Sequence, residues 1–139
     1  MKHVLFLNTQ ALIEKHWADV DTLLSPVVSQ AARGEFTLED LHTMALGGRA
    51  FAAVMFEAAA PRLAMVFEFR QYPRKQVLNV MALGGADLAG AAASFWPDFL
   101  AWAKESGTDE IEACTAPSMT RVLRLLGFQH TYDLVRLPC

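Results

Sequence analysis

The stretch that decides the fold is residues 77–107, VLNVMALGGADLAGAAASFWPDFLAWAKESG. Its first part, Val77–Leu83, is almost wholly apolar, which is typical of a central strand covered on both faces. Gly84 and Gly85 end that run. Apolar side chains then recur at intervals of four and three, the spacing of an amphipathic helix: Leu88, Ala92, Phe95, Phe99 and Trp102. Pro97 either kinks this helix or occupies the first turn of one capped by Ser94.

The segments before this stretch also carry the sequence patterns of strands and helices. Val4–Leu7 is a short apolar run that predicts a first strand. A helix follows, interrupted at Pro26, with an apolar stripe of Ile13, Trp17, Val20, Leu24 and Val27. A second helix begins at the capping box of Thr37 and Asp40 and ends at Gly47-Gly48. The period then shortens to two, and Phe51–Glu57 and Leu63–Phe69 are predicted strands joined by a turn.

The segments after it supply three more predicted elements. Glu110–Thr115 is a strand in which Ile111 alternates with charged neighbours, and Pro117 opens a helix that Gly127 ends. Tyr132–Leu137 is predicted as a closing strand. The order is β-α-α-β-β-β-α-β-α-β, an α/β (α+β) fold with a mixed central sheet. We expect one domain over residues 1–139, because no linker, repeat or charge run divides the chain.

Composition excludes several classes of protein. Of the 139 residues, 53% are hydrophobic and 19% charged, which excludes a disordered chain. The formal charge is −3 with both signs interspersed, so nucleic-acid binding is not expected. Cys114 and Cys139 lack the neighbours of a zinc site or a disulfide framework, and no metal is expected. No apolar run reaches the length of a membrane span or an export signal. The expected setting is the cytoplasm, with Cys114 as an inert thiol in the core.

This order of elements resembles the GCN5-related N-acetyltransferase (GNAT) superfamily. The points of contact are the apolar strand Val77–Leu83, the glycine-rich turn after it, the long helix ending at Gly107, and the final helix ending Leu126-Gly127-Phe128. The topology agrees over nearly the whole chain, whereas the motifs cover about thirty residues. The resemblance implies a single GNAT-like domain.

The family binds acyl-CoA where its fourth strand meets the next helix, through a Gln/Arg-x-x-Gly-x-Gly/Ala signature. The resemblance therefore implies a cofactor site at Leu83, Gly84, Gly85 and Ala86. A helix N-terminus with small residues suits a diphosphate, because free N–H groups and the helix dipole face it. The departures are Met81 in place of the leading Gln or Arg, and Asp87 where the phosphates would arrive. The alternative is a strand-to-helix turn that needs glycine for its own geometry.

Catalytic residues are sparse. The family's general acid, a tyrosine four residues before the last glycine, is Leu123 here, and Tyr132 follows the helix rather than lying on it. The candidates for a general base near the central strands are Glu57 and Glu68, each of which alternates with apolar neighbours. The alternative for both is the polar face of a half-exposed strand. Trp96 lies off the apolar stripe of its helix, which marks it as a candidate contact with another chain.

These departures favour a protein that kept the GNAT fold and lost its chemistry, a structural or protein-binding component with no cofactor. Leu83-Gly84-Gly85, Trp102-Ala103 and Gly127-Phe128 also resemble small GNAT-like proteins encoded among the structural genes of tailed bacteriophages. That resemblance implies other protein chains as partners, in a virion or during assembly, and leaves oligomerisation open. The alternative is an acetyl-CoA-dependent N-acetyltransferase that binds acetyl-CoA or CoA and acts on a small-molecule or protein amine.

Overall fold

The computed structural model describes residues 2–31 and 33–139, and it confirms the predicted α/β class. Nine elements follow one another: β1 (Lys2–Phe6), α1 (Gln10–Ala31), α2 (Leu38–Leu46), β2 (Phe51–Glu57), β3 (Ala60–Tyr72), β4 (Lys75–Gly85), α3 (Leu88–Glu105), β5 (Glu110–Ala113) and α4 (Pro117–Leu125). Their order matches the sequence prediction as far as α4. The predicted second and third strands of the meander are longer than expected.

The five strands form one mixed sheet in the order β1-β2-β3-β4-β5. The first four strands pair antiparallel, whereas β5 runs parallel to β4. For β2, β3 and β4 the antiparallel order follows from short connections, because a tight turn can join only antiparallel neighbours. The chain reaches β2 from β1 through α1 and α2. Between β2 and β3 the turn consists of Ala58 and Ala59, both at positive φ, between the paired residues Glu57 and Ala60.

Helices cover both faces of the sheet. On one face, α1 and α2 pack their stripe, including Trp17, Leu24 and Leu41, against alternate residues of β2, β3 and β4. On the other face, α3 inserts Phe95 and Phe99 against a second set that includes Phe67. Because successive side chains of a strand point to opposite faces, the central strands are buried on both sides. This explains the nearly unbroken apolar run of β4.

The helix boundaries follow local signals. Thr37 caps α2, its hydroxyl accepts from the Asp40 N–H, and the Asp40 carboxylate accepts from the Thr37 N–H, so the predicted capping box is confirmed. Pro26 lies within α1, which continues to Ala31, so the predicted interruption at Pro26 is wrong. Pro97 likewise lies within α3, so the alternative of a shorter helix capped by Ser94 is wrong.

The predicted final strand, Tyr132–Leu137, is wrong. Residues 128–139 form no helix or strand, although the structure describes all of them. The neighbouring edge belongs to β5, which offers only the residues Glu110–Ala113 as a pairing partner. A short run rich in apolar residues forms a strand only if a neighbouring strand is free to pair with it, and the sequence pattern does not show whether one is.

The expectation of a buried Cys114 is also wrong, because this residue is exposed. It follows the last residue of β5, so it lies beyond the part of the strand that α3 covers. Among the helices of the described residues, none has the length and apolar character needed to cross a membrane.

Candidate functional site

Strands β4 and β5 separate to form a fork. Their parallel pairing ends at Val80 and Ala113, yet β4 continues to Gly85. At the same point Met81 is the extra residue of a bulge against β3, since Phe67 pairs with Val80 and Val66 with Ala82. Bulges often occur next to active sites because they redirect a strand. Among the described strands, none pairs with the β5-facing edge of residues 81–85.

The two glycines at the end of β4 are required by packing. A Cβ at Gly84 would lie 2.7 Å from the carbonyl oxygen of Leu23, so α1 approaches the strand here too closely for any side chain. A Cβ at Gly85 would lie 2.2 Å from the carbonyl oxygen of Arg62 in β3. Neither glycine has a positive φ. Glycine is therefore required here by the close packing of α1 and β3 and not by the backbone conformation of the turn.

The fork leads to the N-terminus of α3, where Asp87 is the capping residue. Asp87 adopts a left-handed conformation (φ 50°), and its side chain makes no capping hydrogen bond to the helix. Its Oδ2 lies 2.9 Å from the position of a Cβ on Gly90, so the carboxylate rests against the first turn. The N–H groups of a first turn have no partner within the helix and attract anions. In α3, the negative charge next to these N–H groups is that of the Asp87 carboxylate.

A cavity of about 260 Å³ opens between α1 and this turn. Its wall consists of Thr22, Leu23, Pro26, Val27, Gly84, Gly85, Ala86 and Leu88. Apart from the Thr22 hydroxyl, the side chains of this wall are apolar or absent, which suits a methylene or acyl chain better than a phosphate. Three of the four predicted cofactor residues, Gly84–Ala86, therefore line one cavity, while Leu83 points its buried side chain toward α3.

Below the fork, a polar cluster crosses three strands on the face that α1 and α2 cover elsewhere. Glu68 on β3 is paired with Asn79 on β4, and Asn79 is paired with Glu112 on β5. The Asn79 amide donates to Glu68 Oε2 at 3.5 Å. The Tyr72 hydroxyl donates to Glu112 Oε1 at 3.2 Å. Asn79 is 7% exposed, the one polar residue in the buried set of the described chain.

Arg70 joins the two carboxylates of this cluster. Its Nε lies 3.7 Å from Glu68 Oε1, and its Nη1 donates to Glu112 Oε2 at 3.4 Å. Partial burial alone would lower the pKa of Arg70, but the charge of Glu68, the Tyr72 hydrogen bond and the charge of Glu112 raise it overall. Two carboxylates thus face one guanidinium. The remaining negative charge suits an approaching ammonium group, and a carboxylate here can accept a proton.

The two predicted bases are in different places. Glu68 lies in the polar cluster, next to the point where β4 and β5 separate. Glu57 lies at the end of β2, two strands from β4, and its carboxylate is 3.7 Å from Lys2 Nζ and 3.5 Å from Arg62 Nε. The structure thus brings Glu68, but not Glu57, to the fork.

The other candidates pack within the chain or point away from it. Leu123, at the family's tyrosine position, is 5% exposed and belongs to the core beneath α3. Tyr132 is 75% exposed. Trp96 is half-buried, and its ring lies 5.3 Å from that of Phe99 and 5.2 Å from that of Phe128. Its contact with another chain stays a prediction.

Sequence patterns did not identify four members of this site, namely Asn79, Glu112, Arg70 and Tyr72. The available signal was the alternation that puts Glu68, Arg70 and Tyr72 on one face of β3. What the sequence lacks is the register between β3, β4 and β5, which places Asn79 and Glu112 beside that face.

Comparisons with known proteins support the fold. No protein-family model and no curated protein sequence matches the chain. Among solved structures, the aminoglycoside N-acetyltransferase AAC(6')-Iy in complex with CoA covers 100% of this chain and 95% of its own, with TM-score 0.75 and 14% identity. The match to a predicted acetyltransferase with acetyl-CoA from Clostridium acetobutylicum covers 99% of this chain and 96% of that protein, with TM-score 0.67 and 13% identity. An acetyltransferase from Trypanosoma brucei covers 100% of both chains, with TM-score 0.70 and 12% identity.

The chain therefore has the GNAT fold, a mixed sheet between two helical layers, as the resemblance implied. At identities this low the likeness concerns the fold alone, since one fold can carry unrelated functions.

Proposed function

We propose that this protein binds an acyl-CoA in the fork between β4 and β5 and transfers the acyl group to an amine, as an N-acetyltransferase. The observation that carries the proposal is the unpaired edge of β4, residues 81–85, which leads to the N-terminus of α3. An extended chain containing amides can add to such an edge as an extra strand. The pantetheine arm of CoA is such a chain, and its diphosphate suits a helix N-terminus.

The fit is good for the arm and poor for the phosphates. The free edge of β4 and the apolar cavity suit the pantetheine arm, an extended chain of amide and methylene groups. Against this, Asp87 brings a carboxylate to the first turn of α3, and residues 76–103 contain neither Lys nor Arg. We infer that the site binds acyl-CoA weakly and that Asp87 is the main cause.

In the proposed reaction, Glu68 removes the proton that the amine carries as an ammonium group. The neutral amine nitrogen then forms a C–N bond with the acyl carbon of the thioester while the C–S bond breaks and the CoA thiolate leaves. The nitrogen gives up its second proton, which the departing thiolate takes, so the products are the amide, the CoA thiol and a protonated Glu68. Arg70 holds Glu68 and Glu112 on either side of Asn79, and Tyr72 fixes Glu112. The negative charge that remains in the cluster attracts the ammonium group.

Known structures support this proposal over a non-catalytic role. AAC(6')-Iy and the Clostridium acetobutylicum protein share the fold over nearly the whole chain, and they are complexes with CoA and acetyl-CoA. The three proteins described above are named as acetyltransferases, and the virion role that the sequence suggested has no support among them.

A second candidate is the non-catalytic, protein-binding component. Two observations favour it: the Asp87 carboxylate at the first turn of α3, and a buried Leu123 in place of a general acid. Under this candidate the fork binds no acyl-CoA, and the partners are other protein chains.

The two candidates are separated by titrating acetyl-CoA in a calorimeter and by following acetylation of a panel of amines by mass spectrometry. Glu68→Gln is expected to lower kcat by about 10²-fold or more while leaving the Kd for acetyl-CoA unchanged, because general base catalysis contributes about 10²–10⁴. Glu57→Gln is the matched control and should retain turnover. Equal turnover by Glu68→Gln and the unmodified protein would remove Glu68 from the mechanism. No binding of acetyl-CoA at millimolar concentration, even with Asp87→Asn, would favour the second candidate.

A further inference from the structure

The C-terminal segment, residues 129–139, begins near the start of the β4–β5 seam, the line along which these two strands pair. Phe128, just before it, lines a cavity with Asp109, Glu110 and Ile111. The pKa of Lys75 is raised mainly by its hydrogen bond to Glu110 and to a smaller degree by the charge of Tyr132, a few residues further along the segment. Lys75 and Glu110 are the first residues of β4 and β5, so this part of the segment lies where the two strands begin.

The far part of the segment is attached to the loop between α1 and α2. Arg136 donates from Nη2 to the Glu35 carboxylate, forming an ion pair across 101 residues of sequence. That loop follows α1, whose residues Leu23 and Val27 contact Gly84 near the end of β4. The segment therefore leads from the start of the seam toward the end where the fork opens, on the side of α1 and α2.

The side chains of this segment are unusually apolar for their exposure. Among the described residues, five large hydrophobic side chains are exposed, and four of them lie here: Tyr132 at 75%, Leu134 at 60%, Val135 at 86% and Leu137 at 87%. Contiguous exposed apolar side chains commonly mark a surface that becomes covered. The proposed function assigns acyl-CoA to the apolar cavity and the strand edge at the other end of the β4–β5 pairing, toward which this segment leads.

We propose that residues 129–139 form a strap that closes over the fork when acyl-CoA binds, latched by the ion pair between Glu35 and Arg136. This proposal rests on the proposed function, because acyl-CoA is what the strap covers. Closure buries the apolar side chains of the strap against the pantetheine arm and excludes water from the thioester. The latch holds the strap at the correct end of the seam, so that closure requires little further ordering of the chain.

The test is hydrogen exchange measured by mass spectrometry on the full chain, with and without CoA, in peptides covering residues 81–90 and 129–139. In the unmodified protein, CoA is expected to slow exchange in both regions. Glu35→Arg and Arg136→Glu should each abolish the slowing in residues 129–139 while keeping it in 81–90. The double variant reverses both charges, restores the ion pair and should restore the slowing. If either reversal prevents folding, Glu35→Gln and Arg136→Gln remove the attraction without adding repulsion.

The outcomes separate the strap from the proposed function. Slowed exchange in residues 81–90 alone would overturn the strap and leave acyl-CoA binding intact. No change in either region would refute both. Protection of 129–139 that depends on protein concentration and not on CoA would assign the apolar side chains to contact with a second copy, and would also overturn the strap.

Discussion

Replacing Asp87 with Asn removes one negative charge at the point where α3 begins. Asn tolerates the left-handed conformation of this position, φ 50°, about as well as Asp does, so the backbone should not change. The carboxylate rests against the first turn, next to Gly90. In the proposed function, the CoA diphosphate binds to the N–H groups of this same turn.

The size of the effect follows from Coulomb's law. A diphosphate with about two negative charges at about 5 Å from the carboxylate, in a water-like dielectric, is repelled by about 1.7 kcal/mol. At low ionic strength this is about fifteenfold in Kd. Screening at 0.15 M salt reduces the repulsion by about half, to about fivefold. Asp87→Asn should therefore bind CoA more tightly, and the gain should shrink as salt is added.

Stability should move in the opposite direction. A carboxylate near a helix N-terminus stabilises the helix by about 0.3–1 kcal/mol. Without ligand, the Tm of Asp87→Asn should therefore be slightly lower than that of the unmodified protein. Saturating CoA should raise the Tm of the variant by more than it raises the Tm of the unmodified protein. Opposite signs in the two measurements would distinguish a local electrostatic effect from a general change in stability.

Calorimetric titration with CoA at two salt concentrations measures the effect, and Asp98→Asn is the control. Asp98 is an exposed residue of the same helix, eleven positions further along, and it carries the same charge. At about 1.5 Å per residue it lies about 16 Å along the helix from Asp87, about twice the Debye length at 0.15 M salt, so its effect on the diphosphate should be small at the higher salt concentration. If Asp87→Asn and Asp98→Asn bind CoA equally, the diphosphate does not bind at the N-terminus of α3.

Three further predictions concern stability and are measured by thermal and denaturant unfolding. Gly85→Ala should cost about 3 kcal/mol or more, because its Cβ meets β3 backbone, which cannot move aside; a loss below 1 kcal/mol would contradict this. Gly90→Ala should instead stabilise the protein by about 1 kcal/mol, since it lies within a helix and its Cβ meets only the movable Asp87 side chain. Ala58→Asn combined with Ala59→Gly should add about 1 kcal/mol, because both positions have positive φ, which alanine tolerates poorly; an unchanged Tm would show that the turn relaxes without cost.

The candidate site was only partly predictable. The glycine-rich turn and Glu68 are visible as local patterns, and the structure places both at the fork. Glu57 shows the same alternation with apolar neighbours, yet it lies two strands away between Lys2 and Arg62. Alternation reports which face a side chain occupies and not which strand will be its neighbour, so it could not separate the two carboxylates.

The sequence by itself determined the elements whose signals are local. The capping box of Thr37, the apolar stripes of α1 and α3, and the alternation of the central strands depend on residues a few positions apart. Short turns then impose the antiparallel meander, and the apolar run of β4 implies helices on both faces. These constraints suffice for the fold class and for most of the element order.

Tertiary structure alone decided everything that depends on distant neighbours. Residues 132–137 have strand-like composition, but strand formation needs a ladder, and the edge of β5 does not provide one for them. Gly84 and Gly85 resemble a phosphate-binding turn, but their lack of side chains is required by α1 and β3. The fork itself arises because β4 continues beyond the last residue that pairs with β5. No local sequence pattern encodes this, because it depends on where the pairing between two strands distant in sequence ends.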